Sequence, residues 1–254
     1  MKFFLFFVEL EFFVKVAFSC AVLQQLFFIF LSNFELSFIT EVCIYWLTGS
    51  VSFYAIGLFI ENVIKKSPLK TKRLIRVAKV KEQKFPSFTF KGIILGEIKS
   101  FLTALIVLYF LKEVPRDDNF MMNFAWFLVN IICADFFFYI THRTLHLKRF
   151  IKIHLKHHEF RDSSSFVAGH KSLTEHCITT LTELIPVALF GYDITQLCAW
   201  TVVGNAYNLE GHSSLSLFYI GSDFHDRHHT HFKGNYGIQG FWDKIFSTLS
   251  DSKL

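Results

Sequence analysis

Long unbroken apolar runs, not an alternation or a one-sided stripe, set the pattern of the first 140 residues. Four of them approach the roughly 20 residues that cross a bilayer core: about Val16 to Leu31, Val42 to Ile60, Ile93 to Leu111 and Phe120 to Ile140. The third carries Glu97 and Lys99 and the fourth carries Asp135, so charge enters the spans at only a few points. The stretch from Met1 to Val8 imitates a secretory signal, but Glu9 and Glu11 interrupt it and no small-residue cleavage site follows. It reads as part of a retained membrane anchor. Between the second and third runs, residues 65–84 hold nine Lys or Arg against the single acid Glu82. Short loops rich in Lys and Arg stay cytosolic, which puts both ends of a four-span path on the cytosolic side. Leu173 to Val203 is apolar again but is broken by Glu175, Glu183, Pro186 and Gly191. A membrane-embedded hairpin or re-entrant pair fits it better than two full spans.

Composition agrees with this pattern. Of 254 residues 52% are apolar, 34 are Phe and only 19% are charged, which excludes a disordered chain, a collagen and a coiled coil. The net charge of +5 needs no nucleic acid, because positive charge beside a membrane follows topology and anionic lipid. Five single cysteines without a C-x-x-C pair read as buried thiols. The expected fold class is all-α: a polytopic membrane protein of about four transmembrane helices with a cytosolic histidine-rich helical cap. The expected division is a membrane anchor over 1–118, a catalytic unit over 119–248 and a short tail over 249–254.

All twelve histidines lie beyond residue 141. Eight form three clusters: His142 and His146; His154, His157 and His158; His225, His228 and His229. The H-x-x-H-H spacing is expected on the order of 0.03 times by chance when matches are counted, and it occurs twice. Residues three or four apart share a helix face, so each cluster is expected to aim two or three imidazoles at one point, the geometry of metal ligation. Imidazole suits Fe, Zn, Cu and Ni alike. Eight nitrogens exceed what one ion takes, which implies two. His170 and His212 stand in turn-like contexts where completing the coordination and an ordinary loop role are equally open. His176 and His231 receive no role. Asp135, seven residues before His142 on the face that also holds Tyr139, is expected to accept an imidazole N–H and fix the tautomer of a ligand; its alternative is helix packing. No H-E-x-x-H, E-x-x-H, G-x-G-x-x-G or P-loop is present.

The order H-x-x-x-H, H-x-x-H-H, H-x-x-H-H, with the flanks Asp135 to His146, Lys156 to Phe160 and His225 to Phe246, resembles the fatty acid hydroxylase and sterol desaturase superfamily of membrane di-iron oxygenases. The His157-His158-Glu159-Phe160 run, Phe232 to Tyr236 and Trp242-Asp243 are most similar to sterol carbon-4 methyl oxidases. The resemblance implies two iron ions held by His142, His146, His154, His157, His158, His225, His228 and His229, with His170 and His212 matching further family histidines. In the family's A-H-P-x-E pattern the Glu stands closer to the His than Glu175 does to His170, and His212 to His225 is a shorter interval than in the methyl oxidases. The implied reaction is O2-dependent oxidation of a membrane lipid, with a sterol methyl group preferred over fatty acid hydroxylation or sterol desaturation.

No redox domain fits in this length, so the expected electron donor is cytochrome b5 or a similar carrier fed by NAD(P)H. A metal-transporting or metal-binding membrane protein is the alternative of another class, and would spread polar residues along several spans. A zinc hydrolase would carry about three ligands and a general base. Localisation is expected at the endoplasmic reticulum membrane, with the peroxisome as alternative because Ser252-Lys253-Leu254 spells its address.

Overall fold

The computed structural model describes residues 2–64, 90–115, 117–159, 164–213 and 222–250. The basic stretch 65–84 and the Ser252-Lys253-Leu254 tail lie outside these. The described residues are helical apart from turns and one isolated bridge between Glu113 and Tyr192. Nine α-helices follow in order: α1 Lys2–Leu31, α2 Phe38–Phe59, α3 Phe90–Phe110, α4 Phe120–Leu145, α5 Ile151–His154, α6 Leu173–Phe190, α7 Ile194–Gly211, α8 Ser222–His231 and α9 Phe241–Ile245.

Among the described residues four helices are long and apolar enough to cross a membrane: Leu10–Leu31, Phe38–Val63, Gly92–Phe110 and Phe120–Leu145. The four-span expectation holds, with the first, second and fourth runs several residues longer than their hydropathy suggests and the third shifted by one residue. These helices are apolar on both faces, as helices buried in protein on one side and in lipid on the other must be. In α1, Phe12, Phe13, Val16, Ala17, Cys20 and Ala21 are buried at helical spacing, while Phe18, Leu26, Ile29 and Phe30 point outward, Phe30 with 71% exposure. The inward stripe packs on Phe127 and Ile131 of α4 and on Ala199 and Val203 of α7.

Residues 173–203 form a hairpin in chain order, but its limbs part. The α6 limb packs on α4, whereas α7 lies between α1 and α2. Each limb has 18 residues, about 27 Å at 1.5 Å per residue, so both run nearly the height of the spans. Their turn reaches the far end of the bundle, where the Val114 N–H donates to Tyr192 O (2.7 Å) and the Tyr192 N–H to Lys112 O (3.1 Å). Asp193 caps α7 in a capping box with Gln196, and Gln24 and Asn123 satisfy Thr195 and Gln196 from α1 and α4. Hydropathy understates these limbs because α6 turns Glu175, Thr179 and Glu183 toward the interior cavity.

Helices α1, α2, α3, α4, α6 and α7 together enclose one cavity of about 390 Å³. Val42, Ala104, Val107, Leu108, Leu184 and Leu197 from α2, α3, α6 and α7 close its far end. The N-terminal half is therefore more than an anchor, since it supplies three of the six walls.

Gly191 ends α6 at φ 79° and ψ 173°, a region open essentially only to glycine, and a Cβ there would lie 2.7 Å from Val114 Cγ1. Gly191→Ala is expected to cost about 1–3 kcal/mol, read as a lower melting temperature in detergent; an unchanged melt would show that the turn does not hold the α6–α7 pair to the far end.

Candidate metal centre

At the end of the bundle opposite that turn, nine histidines gather. His142, His146, His154, His158 and His228 form one group, and His157, His212, His225 and His229 a second; within each group the nitrogens lie within 4.8 Å of one another. The first group draws on the end of α4, on α5, on the short 3-10 turn His157–Glu159 and on α8. The second draws on the same turn, the end of α7 and α8.

The clusters do not each converge on one point. His154 and His158 serve the first group while His157 serves the second, and His228 parts in the same way from His225 and His229. Neighbours on a helix project about 100° apart, so an H-H doublet cannot put both rings on one centre. Each doublet instead ties the two groups together: the His157 and His158 rings are 5.5 Å apart and the His228 and His229 rings 5.9 Å.

The nitrogen spacing identifies what the groups are built to hold. In the first, His154 Nε2 lies 3.1 Å from His142 Nε2 and 2.9 Å from His158 Nε2, which is 3.3 Å from His228 Nε2. In the second, His212 Nε2 lies 3.2 Å from His157 Nε2 and 3.0 Å from His225 Nε2, which is 3.1 Å from His229 Nε2. Adjacent nitrogens bound to one ion at about 2.0–2.1 Å are separated by roughly 2.8–3.4 Å in octahedral or tetrahedral arrangements.

With Glu175 ionised, the two rings of one pair cannot hydrogen-bond to each other directly. The His142 Nδ1–H donates to Tyr236 O (2.8 Å) and the His154 Nδ1–H to Glu175 Oε1 (2.7 Å). A neutral imidazole carries one N–H, so both Nε2 atoms present lone pairs to each other at 3.1 Å, an arrangement that needs a cation between them. The His228 and His212 rings are fixed likewise, Nδ1 on Gly234 O and on Asn208 O, both at 2.7 Å. His146 Nε2 is buried with no hydrogen-bond partner among the described residues. The residues present fit two metal ions.

Burial, the largest cause, and the neighbouring imidazoles pull the protonation of His154 down to about 2 and of His228 down to about 3, and hold His157, His158, His225 and His229 well below the usual range. The rings stay neutral and keep their lone pairs at physiological pH.

The structure places His170 and Asp135 away from the gathered rings. His170 joins neither group; its Nε2 meets Glu159 Oε2 at 2.8 Å. His176 lines the cavity outside both groups, and His231 is exposed on α8. The carboxylate seated on a gathered imidazole, that of His154, is Glu175, fully buried in the first turn of α6 and held there by its cap Ser172, whose hydroxyl also reaches Ile153 O (3.1 Å). Asp135 accepts the Ile238 N–H (2.7 Å); seven residues, about 10 Å of helix rise, separate it from His142. Tyr139 is buried beside it in sequence and touches Thr248 Oγ1 (3.1 Å) and Arg143 Nη1 (2.9 Å). Sequence reasoning did not assign Glu175, and the only signal was its displaced position relative to the family pattern.

The comparisons agree with the site. The fatty acid hydroxylase family model matches residues 127–248, a stretch that contains all nine gathered histidines, which bears out the superfamily resemblance. Methylsterol monooxygenase 1 of Gallus gallus is 31% identical over 55% of this chain and 50% of its own length, and that of Rattus norvegicus 30% over 62% and 60%. Fatty acid hydroxylase domain-containing protein 2 of Homo sapiens is 29% identical over 54% and 41%. The chain thus spans about half to six tenths of the methylsterol monooxygenases it matches. No solved structure matches.

Substitution should separate the groups. His154→Ala or His228→Ala is expected to lower bound metal from two ions per chain to about one, and His212→Ala or His225→Ala to remove the other, as counted by mass spectrometry; equal loss of both from every variant would mean a single shared site. The metal-stripped protein should also lose stability as pH falls through about 6.5, because unfolded imidazoles take up protons there and the folded ones do not. Melting temperature across pH 8 to 5 reads this, and a flat profile would contradict it.

Proposed function

Because the chain is similar to the fatty acid hydroxylase family over the stretch that carries every gathered histidine, we propose that it is an O2-dependent oxidoreductase acting on a membrane lipid at a pair of iron ions, with a sterol methyl group as preferred target. The observation that carries this reading is the meeting of the two groups with the cavity: His142, His154, His157, His212 and His225 all stand on its wall. A lipid entering between the helices brings a carbon to both groups at once, and pockets between bundle helices commonly serve this way.

His142, His146, His154, His158 and His228 would hold one ion, and His157, His212, His225 and His229 the other. Imidazole alone does not choose among Fe, Zn, Cu and Ni; iron is what the resemblance to the membrane di-iron oxygenases implies. When bound, two irons supply the activation of O2 and the oxidation of a C–H bond. The protein's own part is geometric and electrostatic. Glu175 fixes the His154 tautomer, the Tyr236 and Gly234 carbonyls fix those of His142 and His228, and the Asn208 carbonyl fixes that of His212. Phe138, Leu145 and Phe166 line the cavity wall with the histidines, and apolar walls keep water from the reacting carbon.

In this reading residues 119–248 form the catalytic unit and 1–118 complete its lipid slot. The histidine end faces the cytosol at the endoplasmic reticulum membrane, and electrons arrive from cytochrome b5 or a similar carrier fed by NAD(P)H. The peroxisome is the second location.

Lipid profiles of cells lacking the protein test the substrate. Accumulation of 4-methyl sterols is the expected result; an unchanged sterol profile with loss of another hydroxylated lipid would move the assignment to that lipid. Purified protein supplied with a reducing partner should consume O2 in proportion to its iron, and one zinc per chain without O2 consumption would overturn the oxygenase reading.

A further inference from the structure

Two carboxylates near the centre, Asp135 and Asp243, are fully buried, yet neither is among the gathered ligands. Asp243, in α9, accepts the Tyr236 N–H on Oδ1 (2.8 Å), the Gly237 N–H on Oδ2 (2.7 Å) and the Thr248 hydroxyl on Oδ1 (2.6 Å). Asp135 of α4 accepts the next amide, Ile238 N–H, at 2.7 Å. Three successive backbone N–H groups therefore converge on two buried carboxylates.

The middle one connects to the metal centre. The Gly237 N–H and the Tyr236 carbonyl belong to the same peptide unit, and that carbonyl receives the His142 Nδ1–H. The chain of bonds runs from the Asp243 carboxylate to the N–H of the peptide, from its C=O to the imidazole N–H, and through the ring to Nε2. A carboxylate seated on a ligand imidazole sets its tautomer and raises its basicity; here a peptide is inserted between the two, and bonds in such chains polarise one another. The His228 ring rests on the same residue one step further out: its Nδ1–H donates to Gly234 O, the N–H of that peptide, on Asn235, donates to Thr248 O (3.0 Å), and Thr248 is held by its hydroxyl on the Asp243 carboxylate and by its N–H on the Asp243 backbone carbonyl (2.7 Å).

Gly237 leaves room for the arrangement. A Cβ there would lie 3.0 Å from Asp243 Oδ2 and 3.2 Å from Asp135 Oδ1, so a side chain would press on both carboxylates and push them back by a few tenths of an ångström.

We propose that Asp243, with Asp135 and Gly237, is the positioning device of the five-histidine group: it holds His142 and His228 through peptide bridges, while the four-histidine group, whose His212 rests on Asn208 O, does not depend on it. The inference rests on the two-ion reading above. It goes beyond it by assigning the two groups different supports, so that one can be weakened alone.

The test is a metal titration of the full-length purified protein with Co(II), following ions bound per chain and the visible absorption of each site, with the melting temperature measured alongside. Asp243→Asn keeps the volume and removes the charge. It is expected to weaken one of the two ions about 10- to 100-fold, the usual effect of losing an outer carboxylate, and to change the absorption of that site only; Gly237→Ala should act in the same direction. Asp193→Asn, which removes an equally buried carboxylate from the far end of the bundle, should lower the melting temperature and leave both ions bound. Asp243→Asn retaining two ions at wild-type affinity and spectrum, or weakening both ions equally, would overturn the proposal. A wild-type protein that binds no Co(II) would instead overturn the two-ion reading itself.

Discussion

Two imidazole nitrogens that face each other with their lone pairs, His142 Nε2 and His154 Nε2 at 3.1 Å, are the constraint on which the rest of the structure depends. A peptide carbonyl holds the His142 proton on the opposite nitrogen, and the ionised Glu175 does the same for His154, so in that state the two lone pairs face each other with no proton between them. Only a cation makes the arrangement favourable. The same logic extends to His212 and His228, whose Nδ1 atoms are also committed to carbonyls. Burial then removes the remaining escape, protonation, by penalising the imidazolium.

The helices exist in their particular lengths to serve this pair of groups. Helix α4 runs without interruption from Phe120 to Leu145, which carries the ligands at 142 and 146 directly off a membrane-length helix. Helices α6 and α7 run down from the histidine end and back up to it, tied at the bottom by Tyr192 and the capping box at Asp193. Their upper ends deliver Glu175 and His212. Between them and the first three helices lies the cavity, so the wall that a lipid would touch and the groups that would act on it are parts of one ring of helices. At the far end Gln24 of α1 and Asn123 of α4 meet Thr195 and Gln196 of α7, the inter-helix pairing that a membrane interior demands.

Much of this was legible in the sequence, for identifiable reasons. Membrane crossing is a local requirement on some twenty residues, and the four spans followed from it to within several residues. Metal ligation shows in spacing, and the three clusters pointed to two ions. What failed was geometry that depends on the third dimension. The H-H doublets at 157–158 and 228–229 divide between groups, a consequence of the turn per residue that a count of i, i+3 and i+4 pairs overlooks. His170 looked like a ligand in a turn and is drawn away by Glu159, and Asp135 looked like a direct partner of an imidazole and is two helical turns from it. Glu175 and Asp243 stood in the sequence only as parts of family-like stretches, since their roles come from the His154 ring and the Tyr236–Gly237 peptide that folding brings to them. The α6–α7 limbs were read as short because their cavity-facing polar residues masked their length.

X-ray absorption at the metal edge of the purified, metal-loaded wild-type protein, combined with a count of ions per chain, tests the central claim most directly. Two ions per chain in shells of imidazole nitrogen, four to five rings to each ion and no sulfur, is the predicted result. A single ion per chain, or a shell containing thiolate sulfur, would contradict it.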